Sequence, residues 1–478
     1  MFYENNMLLL EQEKDIQSIE QIESLSVKLE RSFANVMIED RNLSRQIVSF
    51  QANKQRPVYR WFKYKEGFSA ELVQYLFEKY HLTDGDIFDP FAGVGTTLFA
   101  SQEEGHDAYG IELLPIGQEI IKTRKLVESG IKKETIARIE QWGNNQYWRN
   151  SKDEKSFIEL RITQGAYPKE TDKAIRQYLH VINTESSQVK QLLFFTLLCI
   201  LESVSYTRKD GQYLRWDYRS GRTSGEKPFD KGEILPFDKA ISSKLKEILS
   251  DLTNWEIQTD LFKARKENQG NIRLYESSCL EQLPKLNRNS FKAIITSPPY
   301  CNRYDYTRTY ALELAMLGVD EGNLKTLRQK MLSCTVENKE KDLLAFDSTW
   351  ERVLNVAKGQ KLLQAILTYL QHLKEQDQLN NDGILRMIRG YFYEMSCVIY
   401  ECSRIIQRGG YFFMVNDNVK YAGIGIPVDL ILSDIASKFG FVVKNILVLP
   451  QGKGNSSQQM GQHGREALRK CVYVWRKE

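Results

Sequence analysis

Residues 86–112 read DIFDPFAGVGTTLFASQEEGHDAYGIE, and this stretch constrains the fold more than any other. A short apolar strand runs into a glycine loop, a helix follows from Thr97 to about Glu104, and a second apolar strand closes the unit. That order is the β-loop-α-β opening of a parallel sheet. Gly93 and Gly95 let the backbone pass close to a ligand and take positive φ. The loop stands at the carboxyl end of a strand, where open α/β sheets bind ligands. It lacks the lysine of a phosphate loop, and Asp89 at the strand end repels phosphate but attracts an ammonium group. The second strand ends in Glu112, an acid placed to accept hydrogen bonds from both hydroxyls of a ribose. A ribose plus an ammonium group, without phosphate, fits S-adenosylmethionine. Taken alone, the loop is equally a glycine turn that only packs helix on strand.

A second stretch, KAIITSPPYCNRYDY from Lys292, supplies the other half. The apolar strand cannot continue through Pro298 and Pro299, because each lacks a backbone donor and fixes its own φ. The chain stops and presents the Ser297 hydroxyl, the Pro298 carbonyl and the Tyr300 ring. Two acceptors can hold an exocyclic amino group, and a ring can stack on a base. Such an amino group is a poor nucleophile, because its lone pair is delocalised into the base. Two acceptors on its hydrogens orient that lone pair, in a dry pocket where electrostatics are strong. A base stacked in a duplex must first be flipped out. Alone, TSPPY also reads as an edge-strand turn.

Together, DPFAGVGTT and TSPPY resemble motifs I and IV of the amino-methylating DNA methyltransferases. YKEGFSAELV (64–73) is similar to the segment that covers the methionine end of the cofactor. YGIELLP resembles motif II, LYESSCLEQLP stands where motif III belongs, RIIQRGGYFFMVND is similar to motifs VI and VII, and KCVYVW to the last strand. The resemblance implies a Rossmann-like class I α/β fold, with a mostly parallel seven-stranded sheet and large, mainly helical insertions. It implies S-adenosylmethionine as cofactor, bound by Asp89, Phe91, Ala92, Gly93, Gly95, Thr96, Thr97 and Glu112, with Lys65 and Phe68 over its methionine end. Ser297, Pro298, Pro299 and Tyr300 would receive the target base. Motif III departs from the pattern: Ser277-Ser278 replace the frequent Gly-Asp, so Ser278 or backbone groups would serve the adenine. In this family Ser before Pro-Pro-Tyr usually accompanies cytosine N4 methylation, and Asp or Asn accompanies adenine N6 methylation. Cytosine N4 is therefore favoured, with adenine N6 and an RNA methyltransferase as the alternatives. Cys301 follows Tyr300 rather than a proline and is no 5-methylcytosine nucleophile. A catalytically dead binding subunit is disfavoured by the intact Asp89, Glu112 and Ser297.

The 478 residues exceed one compact domain. The resemblance places the catalytic domain in 57–115, 266–309 and 386–478, after an N-terminal helical segment, 1–56. The latter shows Ile16, Ile19, Ile22, Leu25 and Leu29 at helical spacing. Residues 116–265 form a helical insertion that is the candidate for DNA target recognition, and 310–385 form a second helical insertion read mainly as scaffold. With the last strand at the end of the chain, sequence reading falls to these insertions.

The net charge of only +4 requires any DNA-binding face to come from local clustering. YTRKDGQYLRWDYRSGRTSGEK (206–227) interleaves Arg208, Lys209, Arg215, Arg219, Arg222 and Lys227 with Tyr206, Tyr213, Trp216 and Tyr218. Basic groups reach phosphates or guanine edges, and aromatics stack; a solvated loop has the same composition. Arg303 and Arg308 lie just past the catalytic turn, and a Gly/Gln/Ser-rich stretch fills 451–470. The expected partner is double-stranded DNA, with a cognate restriction endonuclease acting on the same site. Seven scattered cysteines without a C-x-x-C pair read as thiols of a reducing cytoplasm. No metal site is expected from five isolated histidines. The longest apolar run, LLFFTLLCIL at 192–201, is half a membrane span and reads as a buried helix.

Overall fold

The computed structural model describes residues 2–210, 214–222, 228–261, 269–450 and 468–478. Its centre is an eight-stranded sheet in the order β1-β11-β12-β8-β7-β2-β3-β6. The strands are β1 Met37–Glu39, β2 Ile87–Asp89, β3 Ala108–Ile111, β6 Ile272–Tyr275, β7 Phe291–Thr296, β8 Ile406–Asp417, β11 Phe441–Val448 and β12 Lys470–Lys477. Neighbours pair in parallel except β12, which runs antiparallel to both β8 and β11. Two short hairpins lie outside the sheet: β4 Thr207–Lys209 with β5 Leu214–Trp216, and β9 Val419–Tyr421 with β10 Ile424–Ile426.

This is the mostly parallel Rossmann-like architecture the sequence implies, with one addition. An eighth strand, β1, comes from the segment expected to be helical; it pairs in parallel with β11. The β11–β12 antiparallel pair is therefore not at the edge. A three-residue strand suffices there, because a short edge limits exposed ladder groups. The expected N-terminal helix runs from Phe2 to Phe33 and lies against the helix Lys361–Glu375, with Ile22 buried.

Local chemistry sets the elements around the site. Ala293, Ile294 and Ile295 of β7 are wholly buried, as a strand covered on both faces requires. Each of the two isoleucines contributes roughly 1.5–3 kcal/mol on burial. The helix Ala70–Tyr80 starts after Ser69, but the Ser69 hydroxyl donates to the Ile47 carbonyl at 2.8 Å. Asn53 Oδ1 accepts from the Ala70 amide at 3.2 Å instead, capping from a distant segment. The apolar run at 192–201 lies in the helix Ser187–Val204, with Leu192, Leu193, Leu197, Leu198 and Leu201 buried.

One core joins the first insertion to residues 310–334 of the second, so that Ile241, Leu197 and Trp142 pack in the same cluster as Tyr310, Leu314 and Cys334. The rest of the second insertion, including Trp350, Leu363 and Leu370, packs into the sheet's own core. All seven cysteines are free thiols.

Candidate active site

The glycine loop follows β2, and the TSPPY turn follows β7, its parallel neighbour in the sheet, with Phe88 in register with Ile294. Both loops leave the same end of the sheet, and two side-chain bonds join them. Thr296 Oγ1 donates to Asp89 Oδ1 at 2.6 Å, and Thr97 Oγ1 donates to the Ile295 carbonyl at 3.1 Å. Asp89 Oδ1 also accepts from the Phe91 amide at 3.0 Å, an Asx turn that bends the chain out of the strand.

The loop closes against the next strand. Glu112, just past β3, accepts from the Gly93 amide at 2.7 Å through one oxygen and from the Leu114 amide at 2.7 Å through the other. Gly95 has φ +77°, and a Cβ there would stand 2.9 Å from Ile121 and 3.0 Å from Phe99, so both conformation and space demand glycine.

A cleft of about 780 Å³, counted with its open mouth, lies between these loops. Asp89, Phe91, Ala92, Gly93, Thr96, Glu112, Phe68, Ser278, Ser297 and Pro299 all line it. Burial pushes the Asp89 carboxyl up from 3.8 to about 6, against the hydrogen bonds from Thr296 and Phe91. Burial pushes Glu112 up from 4.5 to about 8, against the amides of Leu114 and Gly93, and the nearby Asp89 adds to the rise. Both acids therefore favour a ligand that brings positive charge or hydroxyl donors. Thr96 Oγ1 is buried there with no hydrogen-bond partner. The one basic side chain among the described lining residues, Lys330, is paired with Glu281 at 3.1 Å. This donor set fits S-adenosylmethionine and disfavours a phosphate.

Several further residues line the cleft. Tyr64 and Glu66 enter from the covering segment, Tyr306 from beyond the catalytic turn, and Lys330-Met331-Leu332 from the second insertion. Ser278 Oγ donates to the Lys330 carbonyl at 3.0 Å, which fixes that insertion against the motif III position. The Tyr304 and Tyr310 hydroxyls both donate to the Glu66 carboxylate, and the Tyr64 and Tyr310 rings stack at 5.1 Å. The close run Tyr304, Tyr306, Tyr310 and the YKEG stretch that holds Tyr64 and Glu66 were the available sequence signals; Lys330 offered none.

Ser297 Oγ donates to the Tyr300 hydroxyl at 3.1 Å. Pro298 is buried and Tyr300 half-buried, and neither is among the described residues that line the cleft, unlike Ser297 and Pro299. Lys65 departs from expectation. It is exposed, and its ammonium donates to the Lys209 carbonyl at 2.8 Å rather than lining the cleft.

The basic stretch at 206–227 divides sharply. Lys209 is buried, paired with Glu313 at 2.5 Å, and lies over the Phe62 and Tyr310 rings. It is an internal anchor rather than a DNA-binding residue. Arg219 is held by Asp217 at 2.6 Å and by the Gly232 carbonyl at 2.6 Å. Arg222 donates to the Arg161 and Gln164 carbonyls and stacks over half-buried Trp216 at 4.1 Å. Arg308 pairs with Glu337 at 3.0 Å and Asp305 at 3.4 Å. Arg208 and Arg215 remain exposed as direct cross-strand partners of the β4–β5 hairpin. Arg303 has φ +65° and a buried Nε without a partner. Tyr213, Lys227 and most of the 451–470 stretch lie outside the described residues.

The chain is 55% identical over 469 residues to the type II methyltransferase M.AvaI of Nostoc sp. (strain PCC 7120 / SAG 25.82 / UTEX 2576), covering 98% of this chain and 96% of that one. The same figures hold for M.AvaI of Anabaena variabilis. It is 42% identical over 482 residues to the type II methyltransferase M.BsoBI of Geobacillus stearothermophilus, covering 96% and 92%. The sequence model of the N6/N4 DNA methylase family matches residues 2–123. The chain belongs to this DNA methylase family. It is thus a DNA methyltransferase of the amino-methylating class, and methyltransferases of this family use S-adenosylmethionine as methyl donor. No solved structure matches the chain.

Proposed function

We propose that this DNA methylase transfers a methyl group to the N4 amino group of a cytosine extruded from double-stranded DNA, as the modification enzyme of a restriction–modification system in the cytoplasm. The observation that carries the reading is that Ser297 and Asp89 line one cleft. When bound, S-adenosylmethionine supplies an electrophilic methyl on a sulfonium centre. Asp89 would hold its ammonium group, Glu112 its ribose hydroxyls, and Phe68 and Phe91 its apolar faces. The Ser297 proton is committed to Tyr300, so the serine oxygen faces the cleft as an acceptor. It would take one hydrogen of the target amino group, and the Pro298 carbonyl the other, leaving the nitrogen lone pair directed at the methyl. That gain is greatest in the transition state, where charge grows on the nitrogen.

Cytosine is favoured over adenine because Ser, not Asp or Asn, precedes Pro-Pro-Tyr. The hairpin arginines Arg208 and Arg215 would meet DNA phosphates, since both are exposed side by side on one hairpin, with Asp210 3.4 Å from Arg215. Arg303 would meet a phosphate beside the flipped nucleotide. The type II relatives make a cognate endonuclease the expected companion. The deciding experiment is nucleoside mass spectrometry of DNA from cells with and without this gene. N4-methylcytosine is expected; N6-methyladenine in its place overturns the choice of base, and no modified base overturns the activity.

A further inference from the structure

Asp417 ends β8 and Lys470 opens β12, and the two are register partners. They stand at the site's end of the sheet, because Thr296 of β7 pairs with Met414 of β8. The Lys470 ammonium lies 3.5 Å from Asp417 Oδ1 and 5.5 Å from the centroid of the Tyr300 ring. The Lys470 cation acts electrostatically on the Tyr300 hydroxyl, and Asp417 opposes it. Asp417 Oδ1 is buried and accepts no hydrogen bond, so the ammonium is the charge that faces it. Four side chains thus form a line from the strand ends to the cleft: Asp417, Lys470, Tyr300, Ser297.

The chemistry of that line has a direction. A lysine ammonium has three donors and no acceptor, and an aspartate only accepts. A cation facing the Tyr300 hydroxyl favours its oxygen as an acceptor. The Ser297 hydroxyl, 3.1 Å away, then gives its proton to that oxygen and keeps its own lone pairs for the cleft. Burial raises the Tyr300 hydroxyl above its ordinary value, against the lowering effect of Lys470, and the phenol stays neutral.

We propose that Lys470, held by Asp417, is a positioning residue for methyl transfer: it fixes Tyr300 so that the Ser297 oxygen is presented as an acceptor to the target amino group. This rests on the functional reading above, and it concerns two residues outside the family motifs' catalytic turn.

The test uses the full chain and a duplex oligonucleotide carrying the site found by modified-base mapping. Lys470→Met should leave the dissociation constants for S-adenosylmethionine and DNA within about twofold, because it touches neither ligand, and should slow single-turnover methylation about 100-fold. Lys470→Arg should restore the rate to within about tenfold of wild type, because it keeps the donor and the charge. Because Lys470 acts through the Tyr300 hydroxyl, Lys470→Met on a Tyr300→Phe background should slow the reaction no further. A full multiplicative loss on that background, an unchanged Lys470→Met rate, or a loss explained by weaker DNA binding overturns the proposal. If Lys470→Met does not fold, Asp417→Asn takes its place with the same required non-additivity. A wild-type enzyme that methylates no DNA overturns the functional reading itself, a separate result.

Discussion

Thr296 Oγ1 donates to Asp89 Oδ1 at 2.6 Å, joining residues 207 positions apart at the ends of adjacent parallel strands. The bond makes the loop proposed to bind cofactor and the turn proposed to bind the base parts of one rigid wall. Thr296→Val keeps the shape and removes the donor from a buried carboxylate, which costs about 1–3 kcal/mol. Titration calorimetry with S-adenosylmethionine should show about tenfold weaker binding, and the melting temperature should fall. Unchanged cofactor affinity would detach Thr296 from the site.

Ser297→Ala and Asp89→Ala should separate the two halves of the cleft. Loss of the serine acceptor should cut kcat about 100-fold while sparing cofactor affinity, because its bond is made best in the transition state. Loss of the carboxylate should weaken cofactor binding. Steady-state kinetics with equilibrium binding on both variants checks this; equal loss of cofactor affinity in the two would count against the assignment.

The acids give a pH dependence. The folded values of Asp89, about 6, and Glu112, about 8, lie above the ordinary 3.8 and 4.5, so the ligand-free fold keeps protons that the unfolded chain has released. Their contribution to stability is full at low pH and is lost as pH rises from about 4 through about 8. Cofactor binding runs the other way, because the carboxylates are the acceptors. Affinity should rise between pH 6 and 8, and calorimetry near pH 7 in buffers of different ionisation enthalpy should report proton release. Glu112→Gln should remove most of that release.

Adjacent basic residues on one hairpin should behave oppositely. Removing Lys209 strands Glu313 in the core, and breaking such a buried pair costs about 3–5 kcal/mol. Lys209→Ala should therefore lower the melting temperature by many degrees. Arg208→Ala or Arg215→Ala should leave it unchanged while weakening DNA binding. Each should also reduce the slope of log affinity against log salt by about 1 for every phosphate it no longer neutralises. Thermal denaturation alongside salt-dependent binding separates the two classes.

Arg303 sits in the left-handed region with a buried, unpartnered Nε. Such strain costs about 1–3 kcal/mol and persists where function uses it. Arg303→Gly should raise stability by relieving the backbone, yet weaken binding to the cognate duplex. Replacing single target-strand phosphates with neutral methylphosphonates should weaken wild-type binding at one linkage and leave the Arg303→Gly variant insensitive there.

The sequence by itself determined the two loops and the strands that carry them. Asp89, Gly93, Gly95, Glu112 and Ser297 were legible because each stands where local backbone rules force a turn: glycine for positive φ, proline to end a strand, an acid at a strand end. The parallel sheet followed from the same punctuation. Only the tertiary structure decided what long-range packing controls. It made β1 a strand by giving it an edge to pair with, brought Glu66 and Lys330 into the cleft, and turned Lys65 toward Lys209. It buried Lys209 while leaving Arg208 and Arg215, two of its neighbours on the hairpin, exposed. Composition cannot make that distinction, because a lysine's fate depends on whether a buried carboxylate such as Glu313, 104 residues away, folds back to meet it.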